Sequence, residues 1–183
     1  MLKKIICFAV FVLIGAAGVV QAQVSLTYLD SGIKYFSINI PDNWRVNVGA
    51  DTSISELSED EGKPVRLIST MPNDGMPLWF GMWVAGDIAT IKDAKGYMNS
   101  LGLDLLTDVN ITKKSSDTLN LMKVYSVSGT GKKEGELMDF HTAFFQISPG
   151  NVVVALYIGP PETTKVHGPE LVQMIQSLRP VTQ

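Results

Sequence analysis

Val152-Val153-Val154-Ala155-Leu156-Tyr157-Ile158 is the stretch on which the fold turns, because seven successive residues are apolar with no polar residue alternating among them. A strand of this kind is buried on both faces, so each face of its sheet needs a covering layer. The turn Ser148-Pro149-Gly150-Asn151 precedes it, with Pro and Gly where a tight hairpin turn wants them. Behind that turn, Leu137 to Ser148 and Leu119 to Gly129 read as two long strands. The run is followed by Gly168-Pro169 and by Leu171, Met174, Ile175 and Leu178, one apolar stripe of a closing helix in which Pro169 suits the first turn.

Upstream, the period stays mostly at two. Val24 to Leu29, the turn Ser31-Gly32 and Ile33 to Ile40 form a first hairpin, with Phe36, Ile38 and Ile40 facing one way and Ser37 and Asn39 the other. Pro41-Asp42-Asn43 ends it, and Trp44 to Val48 is the next strand. Asp51 to Lys63 has the composition of an exposed loop. Pro64 to Thr70 and Leu78 to Ala85 are two more strands joined across Pro72-Asn73-Asp74-Gly75. Thr90 to Leu101, with Ile91, Ala94, Met98 and Leu101 at spacings of three or four, is expected to be a helix, although Gly96 weakens it. No internal repeat, low-complexity tract or linker interrupts this order. The reading is a single α+β domain, an antiparallel β-sheet sandwiched by helices.

The N-terminus is of another kind. Lys3 and Lys4 precede an apolar run from Ile5 to Val20, and Val20-Gln21-Ala22 offers small or short-branched residues at the positions a signal peptidase reads. Residues 1–22 are therefore expected to be a secretory signal peptide cut between Ala22 and Gln23, leaving 23–183 as the domain. The lone Cys7 leaves with it and stands too early to accept a lipid. Of the 183 residues 161 then remain, with 13 Lys and Arg against 18 Asp and Glu, a charge of −5. That balance speaks against nucleic acid, which needs a basic excess to neutralise phosphates. No later apolar run is long enough to span a bilayer, so no stable membrane insertion is expected after cleavage. The destination is outside the cytoplasm, in the periplasm or beyond. A domain without cysteine must stand on its core alone, which about 160 residues allow.

Three local motifs carry a resemblance. Phe36-Ser37-Ile38-Asn39-Ile40-Pro41-Asp42-Asn43-Trp44 looks like the opening hairpin of the PsbP/Mog-type fold. Val152 to Tyr157 with Met174-Ile175-Gln176-Ser177-Leu178-Arg179-Pro180 is similar to its last strand and helix, and Val124 to Gly131 resembles its middle strand. The resemblance covers nearly all of the chain after residue 22. It implies an antiparallel sheet between helices. It also implies a binding role, since its members include photosystem extrinsic proteins, a nuclear-transport accessory factor and periplasmic proteins of the DcrB-like group. It supplies no catalytic residue.

The residues bearing chemistry agree. With Cys7 removed no thiol nucleophile remains, and no Gly-x-Ser-x-Gly elbow is present. Only His141 and His167 could serve as general bases near pH 7. Asp139 shares the strand face of His141, so an Asp–His pair is allowed, and a hydrolase built on His141 is the furthest of the alternatives. His167 reads as a solvated residue of the link before the closing helix. Gly129-Thr130-Gly131-Lys132-Lys133 fails as a phosphate loop because Ser126 stands where the first Gly is required and Lys133 replaces the magnesium-binding Ser or Thr. It reads as a hairpin turn. Glu56, Glu59, Asp60 and Glu61 lack the ligand spacing of a calcium loop. Asn110-Ile111-Thr112 matches a glycosylation sequon.

The richest segment is Met71 to Trp83. Its methionines offer thioethers to Cu(I), yet no His or Cys stands near them to complete a site. No metal or cofactor is therefore expected. Trp79 and Trp83 share a strand face across Gly81, which would leave a recess for a small apolar ligand or peptide, with Met76 and Met82 as further lining. The leading expectation is a non-enzymatic binding or adaptor domain for an unknown protein partner. Carriage of an apolar ligand beside Trp79 and Trp83 is the alternative.

Overall fold

The computed structural model describes residues 22–49, 67–94, 96–98 and 105–181. The signal segment up to residue 21 and the polar loop expected at 51–63 lie outside the described residues.

The described chain forms ten strands and one long helix: β1 (Gln23–Asp30), β2 (Ile33–Pro41), β3 (Trp44–Gly49), β4 (Leu67–Pro72), β5 (Trp79–Ala85), β6 (Thr107–Leu119), β7 (Met122–Lys133), β8 (Glu136–Ser148), β9 (Asn151–Gly159), α1 (Pro161–Ser177) and β10 (Arg179–Pro180). A seven-stranded antiparallel sheet runs in the order β3-β4-β5-β9-β8-β7-β6. A smaller sheet, β1-β2-β10, is separate. The architecture is α+β, as expected.

β9 holds the centre, between β5 and β8. Its alternate residues enter two different cores. Val153 and Ala155 join Phe80, Met82 and Phe145 beneath Leu171, Met174 and Leu178 of the closing helix and Phe36, Ile38 and Ile40 of β2. Val152, Val154 and Leu156 join Trp83, Tyr125 and Phe144 beneath Ile88, Ala94, Met98 and Leu106. Two-sided burial is therefore met, with one qualification. The first face is covered by α1 together with the β1–β2 hairpin, which belongs to its own sheet. Asn39 N donates to Ser177 Oγ at 2.9 Å, tying that hairpin to the helix.

The second face is covered by the crossover from β5 to β6. Residues 94 and 96–98 are helical there, whereas 91–93 form a turn, so the helix expected from Thr90 starts later. Asp93 Oδ2 accepts from Thr90 N and Oγ1 at 3.0 and 2.8 Å, which closes that turn. Gln146 of β8 pins the crossover, accepting from Ile91 N at 3.1 Å and donating to Ala89 O at 2.9 Å. Trp83 Nε1 donates to Tyr97 Oη at 3.0 Å. Burial pushes the Tyr97 hydroxyl up to about 12.

Three expectations at the C-terminal half need correction. The closing helix starts at Pro161, not Pro169, and Pro169 lies inside it. Pro161 takes the first-turn position, while Pro169 sits on the exposed side, where water can satisfy the carbonyl its missing N–H leaves open. The glycines of 129 and 131 lie within β7, and the turn falls at Glu134-Gly135. Leu119 ends β6, a 13-residue edge strand no apolar period announced, and Asn120-Leu121 turn into β7 with φ of 49° and 68°. A Cβ on Gly129 would collide with Asn110 O across the irregular β6–β7 register, so only glycine admits this close approach.

Candidate functional site

Period two places Lys113 on β6, Ser128 on β7, His141 on β8 and Tyr157 on β9 in one cross-strand row. Ser115 and Ser126 stand beside it in the next row. The row lies on the face that α1 covers elsewhere, but here the side chains are half-buried and Lys113 is exposed. Ser128 Oγ lies 2.7 Å from His141 Nδ1, and Ser115 Oγ 2.7 Å from Ser126 Oγ. His141 and Tyr157 stack with ring centroids 5.7 Å apart. Burial, and then the Lys113 ammonium, hold the His141 imidazole below its ordinary value. The ring is thus neutral at pH 7 and shares one hydrogen bond with the Ser128 hydroxyl. Burial and the Asp139 charge push the Tyr157 hydroxyl up.

Asp139 shares this face, as expected, but Thr164 of α1 donates to its Oδ2 at 2.7 Å. The Asp–His pair required by a His141 hydrolase is not formed. The sequence missed Ser128 as the histidine's partner, because the two are 13 residues apart and only the β7–β8 register brings them face to face.

His167 is corrected more sharply. It lies in α1 and is only 5% exposed, not a solvated link residue. Nδ1 stands 2.7 Å from Glu170 Oε2 and Nε2 3.0 Å from Asp74 Oδ2. Glu170 also accepts from Trp44 Nε1 at 2.8 Å and Asn43 Nδ2 at 3.0 Å, and the Trp44 ring meets the imidazole edge-on at 5.5 Å. This is a clasp joining α1 to the β2–β3 turn and the β4–β5 loop. The helical spacing of His167 and Glu170 was visible in sequence, but the break expected at Gly168-Pro169 hid it.

The four candidate lining residues do not converge. Trp79 and Trp83 do share a face, but Met82 points into the opposite core and Met76 lies exposed in the loop before β5. Trp83 is fully buried. The recess expected over Gly81 is filled by the indole of Trp79, whose ring atoms occupy the place a Cβ would take. On the same face, Met98, Leu106, Val109, Phe140, Leu156 and Ile158 line an apolar pocket of about 20 Å³, room for roughly one water and too little for an acyl chain. Among the described residues no three His, Cys, Asp or Glu are placed to hold a metal ion, and no helix is long and apolar enough to cross a membrane.

The chain matches no family model and no curated protein. Solved structures do resemble it. Cyanobacterial PsbP from Synechocystis superposes with a TM-score of 0.60 over 92% of this chain and 99% of that one, at 9% identity.

The fold is PsbP-like.

LpqN of Mycobacterium tuberculosis, a protein involved in cell envelope biogenesis, gives a TM-score of 0.54 at 18% identity, covering 87% of this chain and 92% of its own. PA94 of Pseudomonas aeruginosa, of unknown function, gives 0.52 at 14% identity over 87% and 99%. At these identities the likeness is one of fold. Within the PsbP-like fold, the polar row of β6 to β9 and the His167 clasp are features read from this chain's own residues.

Proposed function

We propose that the protein is an exported, non-enzymatic binding or adaptor domain that meets a protein partner on the open face of β6, β7 and β8. The observation that carries this is the polar row of exposed Lys113 and half-buried Ser128, His141 and Tyr157, whose side chains reach solvent on this part of the sheet face. The hydroxyls and the imidazole already pair with one another. Such a surface is ordered in advance and loses little side-chain freedom when a partner docks. A signal-like N-terminus supports export to the periplasm or beyond, and LpqN, a fold neighbour involved in cell envelope biogenesis, is consistent with it.

The test is a side-by-side pull-down from an envelope extract with the unmodified protein and Lys113→Glu with Ser126→Arg. A partner retained by the first and lost from the second supports the reading. Equal recovery, or none from either, removes it. Mass spectrometry of the exported protein checks the address: a chain beginning at Gln23 is expected, and a retained Met1 refutes cleavage. The carrier alternative keeps one point in its favour, the half-buried Trp79, paired in register with Ile158 of the small pocket. Tryptophan emission that shifts on adding fatty acid or apolar peptide would establish it, and an unchanged spectrum would dismiss it.

A further inference from the structure

β6 ends the seven-stranded sheet, so among the described residues one side of its backbone has no strand partner. Long free edges are normally interrupted by bulges and charges, because a regular one invites another strand. β6 does this in its first half only. The β6–β7 register slips between Thr107 and Asn110 and again between Ile111 and Lys113, and Asp108 adopts φ 51°. From Lys113 to Leu119 the pairing with β7 is unbroken, Lys113 opposite Ser128 through Leu119 opposite Met122. That leaves a straight seven-residue edge, Lys113-Lys114-Ser115-Ser116-Asp117-Thr118-Leu119, almost all of it exposed.

We propose that this edge pairs with the same edge of a second copy of the chain, antiparallel and centred on Ser115, joining two sheets into one. The occupant follows from charge placement. A two-fold axis between antiparallel strands keeps paired residues on the same sheet face, so each residue meets one of matching parity. Centred on Ser115, Lys113 meets Asp117 of the other copy and Asp117 meets Lys113, giving two opposite-charge pairs on the face that α1 covers elsewhere in the sheet. Lys114 meets Ser116 on the other face, and Ser115 meets itself. Centred on Ser116, Lys113 would meet Leu119 and Ser115 would meet Asp117, so no charges pair. Centred on Asp117, Lys114 meets Asn120. The Ser115 register is the one within this edge that sets each charge of Lys113 and Asp117 against its opposite, and it places no like charges across the axis. Lys113 and Asp117 are exposed and neither takes part in an ion pair among the described residues; Asp117 Oδ1 accepts from Thr118 N at 2.7 Å, which leaves Oδ2 to meet the lysine. The two polar rows would then run side by side across the axis. Pairing of one short edge buries less surface than a permanent dimer, so the association is a concentration-dependent one.

Analytical ultracentrifugation of the purified protein up to about 0.5 mM tests this. A monomer–dimer equilibrium is expected, weakened about tenfold or more by Asp117→Lys alone or Lys113→Asp alone, and restored when both are combined in one chain, since the swap rebuilds the pairs. Oxidised Ser115→Cys, made with Cys7→Ser, is expected to form a covalent dimer, whereas Ser116→Cys, opposite Lys114, is not. Far-UV circular dichroism shows that each variant is folded. A protein that stays monomeric throughout, or a dimer that both single charge variants and the swap leave unchanged, overturns the proposal.

Discussion

Thr70 is buried in the core beneath α1, and its hydroxyl has no hydrogen-bond partner among the described residues. A buried hydroxyl without a partner forfeits its hydration and gains nothing in return. Thr70→Val, nearly the same shape, is expected to raise stability by about 1 kcal/mol in urea denaturation; a loss of that size would mean the hydroxyl has a role the geometry hides. His141 makes a pH-dependent contribution. Its folded value lies below the ordinary 6.5, because burial and Lys113 disfavour the charged ring. The unfolded chain therefore binds the proton more readily. Stability is fully present above about 6.5 and falls as pH drops from there through the folded value. His141→Asn is expected to flatten that part of a stability–pH curve, and an unchanged slope would assign it to other groups.

At the scale of elements, α1 is held by its polar clasp as well as its apolar stripe. The Glu170 carboxylate receives Trp44, Asn43 and His167. Glu170→Ala would strand the indole N–H of buried Trp44 and take one of two partners from buried His167, and is expected to cost about 2 kcal/mol, with Glu170→Gln, which keeps an acceptor, costing less. Equal losses for the two would show that charge rather than hydrogen bonding dominates. At the other end of α1, Asn120 Nδ2 donates to Gln176 O and Leu178 O, so the β6–β7 turn closes the helix terminus. The next residue, Leu121, holds φ 68° and is 98% exposed. A leucine in left-handed backbone with nothing to pack against is unfavourable, and Leu121→Gly is expected to stabilise the protein by about 0.5 kcal/mol, read as a rise in thermal midpoint. These elements differ in how far they could be read. The β1–β2 hairpin follows from alternation and Ser31-Gly32, which turn at positive φ. β6 does not, because an exposed edge strand has no buried face to impose an apolar period.

Across the whole molecule, one sheet separates two cores, and neighbouring residues of β9 serve different ones. Val153→Ala and Val154→Ala are each expected to cost about 2 kcal/mol, and both are expected to lower a single cooperative transition seen alike by near- and far-UV circular dichroism. Separate transitions for the two variants would mean the layers unfold independently. The sequence by itself determined the α+β class, the antiparallel strands, burial of β9 on both faces, the apolar stripe of α1 and the pairing of Trp79 with Trp83 on one face. These are set by local period, which a side chain imposes on its own element whatever lies beyond it. Tertiary structure alone decided the rest: that the β1–β2 hairpin forms its own sheet, that His141 answers to Ser128 rather than Asp139, that His167 is buried between Asp74 and Glu170, and that Trp79 fills the space over Gly81. Each depends on registers and crossings between segments far apart in the chain, where a contact is chosen by how whole faces pack and not by the residues next in sequence.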